Sequence, residues 1–268
     1  MKTILQTSGL SVSYGGVAAL RDVDLDVGEG RLVGLIGPNG AGKTTFIDAL
    51  TGFAAYRGAV TLDGRDLRGM TPHERFRLGL ARTWQTTELF DDLTVGENIA
   101  VARHRLSLPN AVKEIITGSS GSGMVDGVLD LLGLRWARDA MPGDLSEGQR
   151  KLVGVARAVA SQPRLLCLDE PAAGLDTHES TQLGERLRAL ADAGTSMLLV
   201  DHDMGLVLGV CDWLFVLEFG ELIASGAPAE IRRDPRVVRA YLGLEDDEVV
   251  GKTRNAEFVV ACDGTENS

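Results

Sequence analysis

The first sixty residues alternate between apolar and polar positions in short runs: GLSVSY (9–14), VDLDV (23–27), RLVGLIG (31–37) and GAVTLDG (58–64). Period-two alternation broken by glycine and Asp-Gly pairs predicts strands joined by tight turns. KTTFIDALTG (43–52) has apolar residues at helical spacing and a closing glycine, which predicts a helix. TPHERFRLGLA (71–81) predicts another, with Thr71 as N-cap, Pro72 at the first position and Glu74 completing a capping box. From about Leu89 to Ala160 helical patterns dominate, interrupted by the small-residue stretch TGSSGSG (117–123), read as a flexible loop. Strand patterns return in RLLCLDE (164–170), SMLLVDHD (196–203) and DWLFVLEFGELIASG (212–226). This order predicts an α/β core with an N-terminal antiparallel β region and an inserted helical subdomain.

Composition narrows the class. The 268 residues carry 44% hydrophobic and 24% charged side chains, ordinary for a globular chain able to bury its own core. The formal charge is -11, of which residues 245–268 hold -5. A mildly acidic body argues against a nucleic-acid partner held through phosphate contacts. The last stretch, polar and acidic, is expected to be a disordered tail. Three scattered cysteines, with no CxxC pair, read as reduced thiols of the cytosol, and Cys167 in its apolar run as a small buried hydrophobe. No signal peptide is expected at the start, and no window approaches the length of a membrane span.

GPNGAGKTT (37–45) follows an apolar strand and opens a helix, the context a G-x-x-x-x-G-K-[ST] phosphate loop requires. Gly37, Pro38, Asn39, Gly40, Ala41, Gly42 and Thr45 would let the backbone curl around phosphate oxygens. Lys43 would reach the β and γ phosphates, and the Thr44 hydroxyl would join a Mg²⁺ shell. RLLCLDEP places Asp169 and Glu170 at a strand's C-terminal edge, where ligands of parallel sheets bind. Asp169 suits the metal and Glu170 the attacking water. His202, at the next strand's end, is placed to donate to a γ-phosphate. His73, His104 and His178 have no such context.

A second helix start, LSEGQRK (145–151), also looks built for an anion. Ser146 as N-cap with Gln149 three residues on makes a capping box that needs no ligand. The order of phosphate loop, Gln85 after ARTW, LSEGQ, LCLDE and DHD nevertheless resembles the ATP-binding-cassette (ABC) ATPases across nearly the whole body of the chain.

That resemblance implies a P-loop NTPase core (1–86 and 161–244), a helical subdomain (about 87–160), and the tail 245–268 outside the domain. It implies that Ser146, Gly148 and Gln149 cap the γ-phosphate of ATP held by a second cassette in a head-to-tail homo- or heterodimer. The departure is Glu147 where the commonest form has glycine; Gly148 is retained. The resemblance further assigns Tyr14 to stacking on adenine, Gln85 to metal, water and coupling, and Asp176 to communication between the two sites. RTWQTTELFDDLTVGENIAVA (82–102) and IASGAPAEIRRDPRVVRAYLG (223–243) are similar to ATPase subunits of branched-chain amino-acid uptake systems. The implied protein is an ATP-hydrolysing importer subunit on the cytoplasmic side of the cell membrane. It would work with integral permeases docking near residues 85–98 and, indirectly, an external solute-binding protein. An exporter or lipid-extraction ATPase is the alternative, and a soluble non-transport cassette the third.

Overall fold

The computed structural model describes residues 2–84, 88–102 and 121–242. Its central layer is a six-stranded sheet of β4 (Leu32–Ile36), β7 (Leu80–Arg82), β8 (Leu165–Asp169), β9 (Met197–Val200), β10 (Trp213–Glu218) and β11 (Glu221–Gly226), in the order β11-β10-β4-β9-β8-β7. All pairs are parallel except the β10–β11 hairpin at one edge. Both faces are covered, so these strands read as continuous apolar runs. Leu32 and Ile36 of β4 face one core with Leu166, Leu168 and Leu199. Val33 and Leu35 face a second core with Leu165, Cys167, Leu198 and Val200. Cys167 is fully buried, as its setting in the sequence predicts, and desolvation pushes its thiol up to about 12.

An antiparallel sheet of β1 (Thr3–Tyr14), β2 (Val17–Val23), β3 (Asp26–Gly28), β5 (Arg57–Leu62) and β6 (Arg65–Asp66) closes the second core, with α1 (Lys43–Thr51) inside it. The predicted strand 23–27 is broken in two. The Thr7 hydroxyl donates to the Val23 carbonyl at 3.0 Å and accepts from the Leu25 amide at 2.8 Å, replacing ladder bonds at that point. The first strand also begins earlier than its GLSVSY segment predicts, at Thr3.

Helix α2 (Pro72–Leu78) has the predicted capping box between Thr71 and Glu74. Beyond β7, helices α3 (Val95–Val101), α4 (Gly121–Leu131) and α5 (Glu147–Ala160) pack on the first core through Val95, Ile99, Leu129 and Val153. The expected loop 117–123 is helical from Gly121, because α4 starts there; its residues 117–120, and the tail from 243, lie outside the described residues. Helix α6 (Thr177–Asp192) links β8 to β9, and α7 (Met204–Val210) links β9 to β10. The α/β core with antiparallel N-terminal region expected from the pattern is thus present.

Candidate nucleotide site

The strand β4 ends at Ile36 and the chain turns through 37–42 before α1 begins at Lys43. Two glycines make that turn feasible. A Cβ on Gly37 would strike the Leu217 carbonyl, and one on Gly42, at φ +106°, would lie 2.7 Å from the Ala19 carbonyl oxygen. The amides at the head of α1 therefore face outward from the C-terminal edge of β4, where the helix dipole favours an anion. Thr44 is exposed at this point and Thr45 half-buried. Pro38 is half-buried, while Asn39 and Gly40 form the exposed tip of the loop.

Lys43 is buried, and its ammonium donates to the carbonyls of Gly37 at 2.7 Å and Pro38 at 3.1 Å. Desolvation lowers its pKa, opposed by the nearby charges of Glu170, Asp201 and Asp169. One lysine thus faces three carboxylates across the sheet edge.

Those carboxylates have different jobs. Asp169 ends β8 fully inside the fold, and its Oδ2 accepts from Arg82 Nη2 at 2.7 Å. Arg82 also donates to Asp48 at 2.5 Å, so one buried guanidinium serves two acids. Removing it would leave Asp169 unpaired, a loss on the order of 3–5 kcal/mol. Glu170 adopts a left-handed backbone at φ +46°, with its amide donating to the Val200 carbonyl at 2.7 Å. Such a conformation costs a non-glycine residue about 1–2 kcal/mol. The turn brings its carboxylate within 3.8 Å of His202 Nδ1. Asp201 is completely buried and accepts three amides: His202 at 2.7 Å, Asp203 at 3.0 Å and Ala172 at 3.0 Å. It pins the loop carrying His202 to the loop that follows Glu170. The His202 ring itself is more than half exposed.

The second helix start lies at the head of α5. Ser146 accepts from the Gln149 amide at 3.3 Å, and Gln149 Oε1 accepts from the Ser146 amide at 2.9 Å, the predicted capping box. The Ser146 hydroxyl also donates to Glu179 Oε1 at 3.0 Å. Gly148 is buried against that same side chain: a Cβ there would come within 2.9 Å of Glu179 Oε1. Asp176 caps α6 by accepting from the Glu179 amide at 2.8 Å, which ties it to the Ser146 turn through Glu179. Lys151 is buried in α5, donates to the Ala173 carbonyl, and has a pKa lowered by burial against the pull of Glu147, Asp201, Glu170 and Glu179.

Lys43, Asp169, Glu170 and His202 therefore meet at one edge of the central sheet, while Ser146, Gly148, Gln149 and Asp176 form a separate turn joined to it by Asp201 and Lys151. Tyr14 stands exposed at the end of β1. Gln85 lies outside the described residues. Four further residues build the site: Arg82, Lys151 and Asp201 lie within quoted motifs that assign them no role, and Glu179 lies outside them all. A divalent cation of the Mg²⁺ type takes oxygen donors and few protein ligands. The Thr44 hydroxyl and the Asp169 carboxylate share one cavity wall and fit that requirement, with phosphate oxygens completing the set. Among the described residues no cluster of three acidic, histidine or cysteine side chains forms a dedicated metal cage.

Between the core and the helices runs a groove with a volume of about 1180 Å³, walled by Phe53, Phe76, Trp84, Leu89, Phe90 and Val101. Trp84 meets Phe53 edge-to-face at 5.3 Å, and the Arg82 guanidinium lies 4.2 Å from the Trp84 ring centre. The buried Asn98 amide holds the groove's loop: it accepts from the Phe90 amide at 2.8 Å and donates to the carbonyls of Phe90, Leu93 and Thr94.

Sequence and structure comparisons agree with this geometry. The family model described as ABC transporter matches residues 20–173, and that of the branched-chain amino acid ATP-binding cassette transporter matches residues 221–247. The chain is 38% identical over 251 residues to the high-affinity branched-chain amino acid transport ATP-binding protein LivG of Salmonella typhimurium, covering 90% of this chain and 98% of that protein. It is 37% identical to BraF of Pseudomonas aeruginosa, of the same description, with the same 90% and 98% coverage. It is 34% identical over 244 residues to the lipopolysaccharide export system ATP-binding protein LptB of Acidithiobacillus ferridurans, covering 91% and 98%. A nucleotide-free ATP-binding cassette from an ABC transporter superposes with a TM-score of 0.77 at 30% identity, covering 91% of this chain and 100% of the other.

Proposed function

The chain belongs to the ABC transporter ATP-binding family, and from that premise we propose that it is the ATPase of an importer for branched-chain or related amino acids. It is an ATP-hydrolysing subunit of a transporter complex. The observation that carries the hydrolytic reading is the convergence of Lys43, Asp169 and Glu170 on one strand edge beside a glycine loop. The match at 221–247 supports the importer class, since it falls outside the nucleotide motifs.

In this reading the loop amides and Lys43 hold the β and γ phosphates of ATP, and Tyr14 stacks on the adenine. Thr44 and Asp169 would hold Mg²⁺, and Gln85 keeps the metal, water and coupling role that the resemblance implies. A Mg²⁺ held there would supply positive charge against the phosphate oxygens. Glu170 accepts a proton from the attacking water, whose oxygen forms the new bond to the γ-phosphorus as the β–γ bridging oxygen leaves with ADP. His202 donates to a γ-phosphate oxygen. Ser146, Gly148 and Gln149 of a second cassette, identical or different, cap the same phosphate from outside, and Asp176 relays between the two sites. Loss of the γ-phosphate removes that bridge and lets the dimer open.

No helix among the described residues is long and apolar enough to cross a membrane. We place this subunit at the cytoplasmic face, its permeases seated in the aromatic groove along residues 88–98, which the pinned loop keeps in shape. An external solute-binding protein supplies substrate to them. The likeness to LptB favours one other reading, a lipid-export ATPase. A mild-detergent pull-down of the tagged chain from native membranes separates the two. An importer yields two permeases, a second cassette ATPase and an external binding protein; recovery of envelope lipid-transfer proteins supports export, and soluble nucleic-acid machinery alone would sink both.

A further inference from the structure

Arg82 lies where the metal carboxylate and the groove meet. It leaves β7 beside the end of β8, and its side chain is 7% exposed. Its contacts point in three directions. Nη2 reaches Asp169 Oδ2 at 2.7 Å, Nη1 reaches Asp48 Oδ1 at 2.5 Å and Thr51 Oγ1 at 3.4 Å, and the face of the guanidinium covers Trp84 at 4.2 Å. Nε has no acceptor among the described residues. The backbone supports the same junction, since the Asp169 amide donates to the Thr83 hydroxyl at 3.4 Å.

The charge arithmetic decides what this arrangement does. Arginine alone against Asp169 would cancel the charge that attracts a cation. Here Asp48 is the second anion on the same guanidinium, so the trio keeps one net negative charge. Arg82 engages Oδ2 of Asp169, no described residue donates to Oδ1, and Asp169 lines the same cavity as Thr44. Outer partners of this kind orient a metal-binding carboxylate, and their loss commonly costs 10–100-fold in metal affinity. Trp84, more than half exposed, lines the groove where the permease is placed above and packs on Phe53, so the Arg82 guanidinium is stacked on a wall of that groove.

We propose that Arg82 is a positioning residue: it aims Asp169 at the metal, is neutralised by Asp48, and through Trp84 links that aim to occupancy of the groove. This rests on Asp169 being the metal carboxylate, as read above.

The test uses the full chain with ATP and Mn²⁺ as the probe, free Mn²⁺ being measured by electron paramagnetic resonance. Expected for Arg82→Gln is a 10–100-fold weaker Mn²⁺ affinity of the ATP complex, with metal-free ATP affinity unchanged. Arg82→Lys, which keeps the charge but not the fork, should fall between the two and serves if the Gln variant does not fold. Trp84→Ala should weaken Mn²⁺ binding in the native background and add nothing to Arg82→Lys. Unchanged Mn²⁺ affinity in the Arg82 variants would overturn the proposal, and additive effects of Trp84→Ala would overturn its link to the groove. Asp169→Asn separates the two levels. If it also leaves Mn²⁺ affinity untouched, the metal assignment fails. If it weakens Mn²⁺ while the Arg82 variants do not, only the role of Arg82 fails.

Discussion

At the residue scale, Glu170 is the side chain whose geometry says most. Its left-handed backbone is held by the Val200 carbonyl and its carboxylate stands 3.8 Å from His202. The strained turn holds the carboxylate at the edge where Lys43 and Asp169 lie, and the role proposed for it there is that of the base. Glu170→Gln keeps shape and hydrogen bonding but loses the base. ATP turnover should drop by about 10²–10⁴-fold while ATP binding, followed by isothermal titration, is retained. Residual turnover near the native rate would move the role of base elsewhere. Asp201 differs: its completely buried carboxylate accepts three backbone amides, so beside its pull on Lys43 it shapes the loops on either side.

At the scale of elements, the helices start where short-range chemistry tells them to. Thr71 with Glu74, Thr94 with Glu97 and Ser146 with Gln149 each close a capping box. The backbone amides of Thr71 and Thr94, then their hydroxyls, hold the Glu74 and Glu97 carboxyls below the ordinary 4.5. A carboxyl lowered in the folded state stabilises it above the unfolded pKa, and that contribution fades as pH falls through the folded value. A Glu74→Gln, Glu97→Gln double variant keeps the cap geometry without the charge. Its urea midpoint should lie below the native one at pH 7, and the gap should close below pH 4.5. A gap independent of pH would mean that the charges add nothing to these caps. Ser146 differs from Thr71 and Thr94 in having a partner outside its own helix, Glu179, so the same local device also ties two helices together.

At the scale of the whole molecule, the two helix starts of the sequence stand at separate turns. The α5 turn is joined to the phosphate-loop edge through Lys151, Asp201 and the Ala172–Ala173 turn, yet it caps itself and holds no residue of the loop. A second copy presenting the same turn would supply the missing side of the site. Ser146→Arg in the Glu170→Gln background should leave ATP binding by the monomer intact and prevent the ATP-induced dimer, measured by light scattering after gel filtration. Dimers that form undiminished would contradict the trans-capping arrangement.

Much of this was legible along the chain. Glycine spacing before a helix, apolar runs ending in acids and capping boxes are contacts between neighbours in sequence, and they marked out Lys43, Asp169, Glu170, His202 and the Ser146 turn as candidates. The break in the strand at 23–27 was not legible, because it depends on Thr7, and neither was Arg82, which meets Asp169 across 87 positions. Glu179 reaching Ser146 and Asp201 reaching Ala172 are likewise long-range meetings. By itself the sequence determined most of the elements and set out candidate phosphate-binding groups, since backbone propensity, caps and turns act within a few residues. Only the tertiary structure decided which charges neighbour one another. The parallel sheet brings distant strand ends to a common edge, and burial there makes every unpaired charge costly enough to select its partner.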